Sequence, residues 1–353
     1  MTHAPLGRDR VAAPSEPVRR QAADRLAGLA TPAGALGRLG EAAVWLAAVQ
    51  GQCPPRRPRD VRVVVFAGDH GVTRHGVSAY PAEITALMVH QFLSGGAGVA
   101  VLAREHGATL RVLDLGVDVE PDAFPPEVTA HKVRRSSGAI HLEDALTASE
   151  TATALAAGAA VAAEEIAAGA DLLVAGDMGI GNTTPSAALV AASLGLSAAD
   201  VTGRGSGVDG QALAHKEIVV AQALERAGDR VADPFDRLTA LGSADLAAQV
   251  GFLVEAAQRG VPVLLDGVIS VACALVAEDY APGCSAWFAA GHRSPEPAQA
   301  LALSKLGLEP LLDLGMRLGE GSGAVAAIPV LRSAAALLAE VSLLADVLGA
   351  QDA

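Results

Sequence analysis

An α/β fold with a doubly wound, mostly parallel sheet is predicted by three features of this 353-residue chain. Short runs rich in Val and Leu alternate with longer stretches of helical spacing, the pattern of strands joined by helical crossovers. The strand-like runs are apolar almost without interruption, as a sheet covered on both faces requires. Glycine-rich segments follow several of them, and open parallel sheets bind ligands beyond the carboxyl ends of their strands.

Taken in order, residues 1–58 form an N-terminal arm followed by "QAADRLAGLATPAGALGRLGEAAVWLAAVQG", which reads as helical. It precedes the first strand, so it lies outside the crossovers and is expected to pack with the C-terminal helix as a smaller helical subdomain. "PPRRPRD" (54–60) is the clearest linker, because prolines remove donors and the arginines repel one another. The strand candidates are "VRVVVFAG" (61–68), "TLRVLDLGV" (109–117), "DLLVAGDM" (171–178), "VPVLLDG" (261–267) and "CSAWFAAG" (284–291). Residues 147–170 and 244–260 carry Ala, Leu and Glu at helical spacing and read as crossover helices. The expected division is therefore 1–58, an α/β domain over 59–320, and a C-terminal helix within 321–353. That last segment is long enough to span a bilayer, but Arg332, Glu340 and Asp346 would be costly in lipid, and a core or interface helix is expected.

Composition narrows the function. A formal charge of −13 with no basic block argues against nucleic acid, and aromatics at 3% leave few stacking platforms for single strands. The three cysteines, Cys53, Cys273 and Cys284, are odd in number and lack CxxC spacing, so they read as thiols in a reducing compartment. The N-terminus has no apolar core of a secretory signal, and a cytoplasmic location is expected.

"GDMGIGNTTPSAA" (176–188) leaves a strand and opens a helix, with Thr184 placed as the N-cap and Pro185 at the first helical position. Gly179 and Gly181 let backbone N–H groups converge in front of a helix N-terminus, which suits a phosphate. A capped tight turn with no ligand is the plainer alternative. The segment lacks the lysine of a P-loop, and no acidic residue ends a second strand at the spacing a dinucleotide site needs. "VTGRGSGVDG" (201–210) repeats the device before a helix carrying Lys216, whose ammonium is either a phosphate contact or a solvated surface charge. "GDHGVTRHGVSAYP" (68–81) offers Ser78 and Tyr80 to an organic ligand, while His70 and His75 lack the i, i+4 spacing of a helical metal site. Asp266 and Ser294 stand at two further strand ends. No metal and no cofactor is called for by these patterns.

In order along residues 31–325, "GDHGV", "GVSAYP", "GIGNTT", "TGRGSGVD", "DG" after a strand, "HRSPE" and "RLGEGSGA" resemble the motifs of the nicotinate-nucleotide–dimethylbenzimidazole phosphoribosyltransferases. The resemblance implies a Rossmann-like sheet, a homodimer, small-molecule substrates and transfer of phosphoribosyl from nicotinate mononucleotide to 5,6-dimethylbenzimidazole without a metal. It also implies that Glu320 is the catalytic base. The ribose phosphate would lie near Gly179, Ile180, Gly181, Asn182, Gly205 and Lys216, the base near Ser78, Tyr80 and Glu320, and Asp266 and Ser294 at the mouth. Two positions depart from the family pattern: Asp177 stands where a glutamate is usual, and Leu87 where a glutamine is common.

By residue type alone, Glu320 could equally favour the start of the helix that follows it. Ser322 is the better cap by type, which would leave the carboxylate free for chemistry. Competing readings are a non-catalytic nucleotide- or benzimidazole-binding relative and a dinucleotide-dependent oxidoreductase.

Overall fold

The computed structural model describes residues 6–120 and 122–349. Helices α1 (Glu16–Ala27) and α2 (Gly37–Gln50) precede β1 (Val61–Gly68), and α3 (Ile84–Ser94) and α4 (Gly98–Glu105) lead to β2 (Thr109–Gly116). A short α5 (Pro126–Thr129) and the long α6 (Ala148–Ala167) lead to β3 (Leu172–Met178). Between β3 and β4 (Val263–Leu265) lie α7 (Thr183–Leu194), α8 (Ala198–Val201), α9 (Gly210–Ala227), α10 (Pro234–Leu241) and α11 (Ala244–Gln258). Helix α12 (Val268–Tyr280) joins β4 to β5 (Phe288–Ala290), and α13 (Pro297–Leu306), α14 (Ser322–Glu340) and α15 (Leu344–Gly349) follow.

The five strands pair in the order β2-β1-β3-β4-β5, all parallel. All five fall within the runs expected from sequence, although β4 and β5 pair over only three residues each. The chain reverses its direction of strand addition between β1 and β3, and the loops that leave these neighbouring strands diverge there to open a crevice.

The uninterrupted apolar character of the strands follows from the layering. Successive residues of a strand point to opposite faces. Val64 and Phe66 of β1 and Leu173 and Ala175 of β3 enter one core with α6, α7, α11 and α12. Val61, Val63, Val65 and Ala67 of β1, with Leu172 and Val174 of β3, enter a second core with α2 and α14. The terminal helices thus pack with each other and cover one face of the sheet. The guanidinium of Arg25 in α1 donates to the carbonyls of Leu338 and Ala339 at the end of α14. Helix α14 is apolar and long enough to cross a membrane by length and composition, and its Ala324, Ile328, Leu331 and Leu338 are buried in this core.

On the other face, α6 and α11 cross backbone to backbone. A Cβ at Gly158 would overlap the carbonyl oxygen of Ala248, and one at Gly251 the carbonyl oxygen of Leu155. Helix α6 begins with a capping box, Thr147 Oγ1 accepting from Glu150 N–H while the Glu150 carboxylate accepts from Thr147 N–H. Cys273 and Cys284 are buried free thiols and Cys53 is half-buried and free.

Candidate active site

At the carboxyl ends of the strands lies a cleft of about 850 Å³, open to solvent, whose walls come from the loops after β1, β3, β4 and β5, from the 205–206 turn and from the 317–320 turn. Ser78, Asp177, Gly179, Ile180, Gly181, Asn182, Gly205, Ser294 and Glu320 line it, so nine of the twelve residues singled out in the sequence meet in one place. Lys216 lies one contact behind the wall, its ammonium donating to the hydroxyl of Thr183, which does line it. Tyr80 and Asp266 do not reach the cleft surface.

Glu320 stands in the left-handed backbone region with φ of 67°, a conformation glycine adopts more readily. Glycines on both sides, Gly319 and Gly321, also have positive φ, so the turn is wound tightly enough to press the carbonyl of Glu320 against Gly176 of β3, where a Cβ would collide with it. The side chain is buried, and its Oε2 accepts from the N–H of Val99 at 3.0 Å. Val99 is in the first turn of α4, so the carboxylate caps a helix, but a different one from the helix that follows it in sequence. The Gly98 amide of the same turn also faces the carboxylate, which lines the cleft. Burial raises the Glu320 pKa above the usual carboxylate range, the α4 amide opposes the shift, and the charge of Asp266 adds to it. Desolvation outweighs the helix amides, and the group becomes a stronger base than a solvated glutamate.

Asp266 explains how this turn is held. It is fully buried at the end of β4 and accepts from Gly321 N–H at 3.1 Å through Oδ2 and from Ala324 N–H at 2.9 Å through Oδ1. It is the anionic cap of α14, a role expected of Ser322, whose hydroxyl instead donates back to the Gly319 carbonyl at 2.7 Å. Asp266 therefore sits beneath the mouth and fixes the residues on the far side of Glu320. The His292 ring lies 3.5 Å from Asp266 Oδ1 through Nε2 and lines the cleft.

The glycine run after β3 combines packing with access. Gly179 has no room for a Cβ because the carbonyl of Gly68 and the His70 ring press on it. The Ile180 N–H donates to Thr85 Oγ1 at 3.1 Å and the Ile180 carbonyl accepts from Thr73 Oγ1 at 2.7 Å, so the loop is tied to the β1 side of the crevice. Helix α7 starts at Thr183 with Asn182 as the flanking residue, two positions ahead of the expected start and with no side-chain cap. Asn182 already has helical φ and ψ, which leaves Thr184 inside the first turn, buried, and Pro185 at the third helical position. The Asn182 amide instead donates to Asp177 Oδ2 at 2.8 Å. Burial, followed by the charges of Asp266 and Asp245, pushes Asp177 well above the usual carboxylate range, and its Oδ1 has no partner among the described residues. The protonated form this favours can donate a hydrogen bond into the cleft.

Lys216 is 1% exposed, which excludes the solvated surface charge. Its ammonium donates to Thr183 Oγ1 at 2.8 Å and to the Gly203 carbonyl at 3.0 Å, and burial lowers its pKa to about 8. No carboxylate of the described residues lies within salt-bridge distance of it. A buried cation with two of three protons satisfied by neutral oxygens is suited to an incoming anion. Ser294 offers a second donor, since its hydroxyl is buried, unpartnered and on the cleft wall. Ser78 Oγ lies 3.1 Å from Ser206 Oγ and joins the loop after β1 to the 203–207 loop. Tyr80 is 54% exposed outside the cleft, and Leu87, on the outer face of α3, is 58% exposed and also outside it. Sequence reasoning placed His292 at a strand end without giving it a role, and did not single out Glu296, Arg317 and Thr183 as site residues. His292 and Glu296 are in the "HRSPE" strand end and Thr183 is in the first glycine run, so their positions were the available signal.

A family model described as Phosphoribosyltransferase matches residues 11–347. The chain belongs to this phosphoribosyltransferase family. Among curated relatives, the nicotinate-nucleotide–dimethylbenzimidazole phosphoribosyltransferase of Mycolicibacterium paratuberculosis is 55% identical over 318 residues, covering 90% of each chain. That of Mycobacterium tuberculosis is 52% identical over 332 residues, covering 94% of this chain and 91% of the relative. Among solved structures, the phosphoribosyltransferase CobT of Thermus thermophilus superposes with a TM-score of 0.88 at 44% identity, covering 94% of this chain and 98% of that one. The family-model match runs from before α1 into α15.

Proposed function

We propose that the chain transfers the phosphoribosyl group of nicotinate mononucleotide to 5,6-dimethylbenzimidazole or a related base, giving α-ribazole 5′-phosphate and nicotinate, a step in assembly of the cobalamin lower ligand. One observation carries the reading: a buried carboxylate with a raised pKa, Glu320, shares a cleft with a glycine-walled pocket backed by an unpaired buried ammonium, Lys216.

In this reading the nucleotide phosphate lies by Lys216, Ser294 and the glycine loops at 179–182 and 205, with Asp177 and Asn182 beside the ribose. The C1′–N bond to the pyridinium breaks, and its electron pair returns to the ring nitrogen, so nicotinate leaves without needing a proton. Positive charge develops on the ribose as in glycoside hydrolysis. The acceptor's unprotonated nitrogen attacks C1′ from the opposite face, which inverts the linkage from β to α. The proton on its other nitrogen passes to Glu320, a transfer that contributes roughly 10²- to 10⁴-fold. The carboxylate is held by the Val99 amide on one side and by the Asp266-anchored turn on the other, so it need not reorganise on reaction.

The same reading places Asp266 as a positioning residue and includes the division at 1–58, 59–320 and 321–353, a homodimer and a cytoplasmic location. Incubation with nicotinate mononucleotide and a panel of benzimidazoles, purines and phenols, followed by mass identification of products, tests it. Release of nicotinate with formation of a ribosyl phosphate adduct is the expected result. Binding of both substrates with no adduct from any acceptor would favour a non-catalytic relative.

A further inference from the structure

The pocket assigned to the nucleotide phosphate already contains an anion supplied by the protein. Glu296 immediately precedes α13, is half-buried, and lines the cleft. Its Oε1 accepts from the N–H of Gly205 at 2.8 Å. Its Oε2 lies over Gly203, where a Cβ would collide with it, so the loop can take this position only with glycine there. The carbonyl of the same Gly203 accepts from the Lys216 ammonium, and the charge of Glu296 acts to raise the pKa of that lysine against its burial. A carboxylate thus occupies a backbone donor and influences the buried cation at the place where a phosphate would need both.

We propose that Glu296 is an internal competitor for the substrate's phosphate: in the ligand-free enzyme its carboxylate holds the 203–207 loop, and nucleotide binding displaces it from the Gly205 amide. This rests on the reading that the cleft receives a ribose phosphate. Two anions on one amide beside a single ammonium repel, and a phosphate carries more charge and more acceptor oxygens than a carboxylate. Glu296 stands on the rim, where the side chain can turn to water when displaced. The ammonium's third proton and the unpartnered Ser294 hydroxyl then complete the set of donors. The arrangement makes Glu296 a determinant of affinity for phosphorylated ligands in particular, since it leaves the remainder of the cleft unoccupied.

The test compares wild type with Glu296→Gln, which keeps an oxygen for the Gly205 amide but loses the charge, and with Glu296→Ala, which loses both. Isothermal titration calorimetry would measure dissociation constants for nicotinate mononucleotide, inorganic phosphate and nicotinate riboside, which lacks the phosphate, with thermal melts to confirm folding. The expected result is roughly tenfold or greater tightening of mononucleotide and inorganic phosphate in the glutamine variant, with the riboside unchanged. Unchanged or weaker phosphate binding in both variants, or equal tightening of the riboside, would overturn the proposal and leave Glu296 as a loop tether. If wild type itself fails to bind the mononucleotide, the functional reading fails first, and that outcome is distinct from a variant that gains nothing.

Discussion

Glu320→Gln separates the two jobs the structure gives this residue. Glutamine retains an oxygen that can accept from the Val99 amide, 3.0 Å away in the native protein, so the α4 anchor survives while the proton acceptor is lost. Loss of a general base corresponds to roughly 10²- to 10⁴-fold in turnover, or about 3 to 5 kcal/mol of transition-state stabilisation. Stability should move the other way. The folded-state pKa of Glu320 lies above its ordinary value, so its contribution is fully present below the unfolded pKa and is lost as pH rises through the folded one. At neutral pH the neutral amide therefore avoids a desolvation cost that the native carboxylate bears. Steady-state assay of adduct formation and a thermal melt at neutral pH are the measurements. A variant that retains turnover within a few-fold and melts earlier would refute the argument and leave Glu320 as a cap alone. The pH profile adds a check: activity should fall on the acid side at a pH above the usual glutamate range, because the ionised form is required.

Three further outcomes are expected. Lys216→Met should weaken nucleotide binding by about 10- to 100-fold, the worth of a charge-assisted hydrogen bond, as read by the KM for the mononucleotide. In the wild type that KM should rise as pH passes about 8, where the buried ammonium loses its proton, while stability increases between that pH and the ordinary lysine value because the unfolded chain then binds more protons. Asp266→Ala removes acceptors for Gly321 and Ala324 and should lower both the melting temperature and kcat, since the turn carrying Glu320 loosens with the α14 cap; calorimetry and the steady-state assay would show the two falling together. Gly251→Ala should destabilise the fold by about 1 to 3 kcal/mol in denaturant titration, because the clash with the Leu155 carbonyl outweighs the gain in helix propensity.

The sheet was legible because burial on both faces leaves a local mark. Val61, Val63 and Val65 go to one core and Val64 and Phe66 to the other, so continuity of apolar residues encodes a central strand without any knowledge of partners. The site was legible where function also leaves a local mark, as glycines and hydroxyls at a strand end. It was not legible where the partner is distant in sequence. Nothing near Glu320 announces that Val99 will hold its carboxylate, and nothing near Asp266 announces that α14 will start on top of it, converting an apparent mouth residue into a buried cap. Residue type misled at Thr184 and Ser322, where hydroxyls that suit a cap fell two positions and one position, respectively, inside the cap of their helices. Lys216 shows the same limit from the other side, because a lysine on a helix looks solvated until the loop at 203–205 closes over it.

The most direct test is a crystal structure with α-ribazole 5′-phosphate and nicotinate bound. The account predicts a carboxylate oxygen of Glu320 within about 2.6–3.2 Å of the benzimidazole nitrogen or one water from it, with the phosphate against Lys216 and Ser294. A phosphate bound away from Lys216, or a benzimidazole whose nitrogen faces a group other than Glu320, would contradict it.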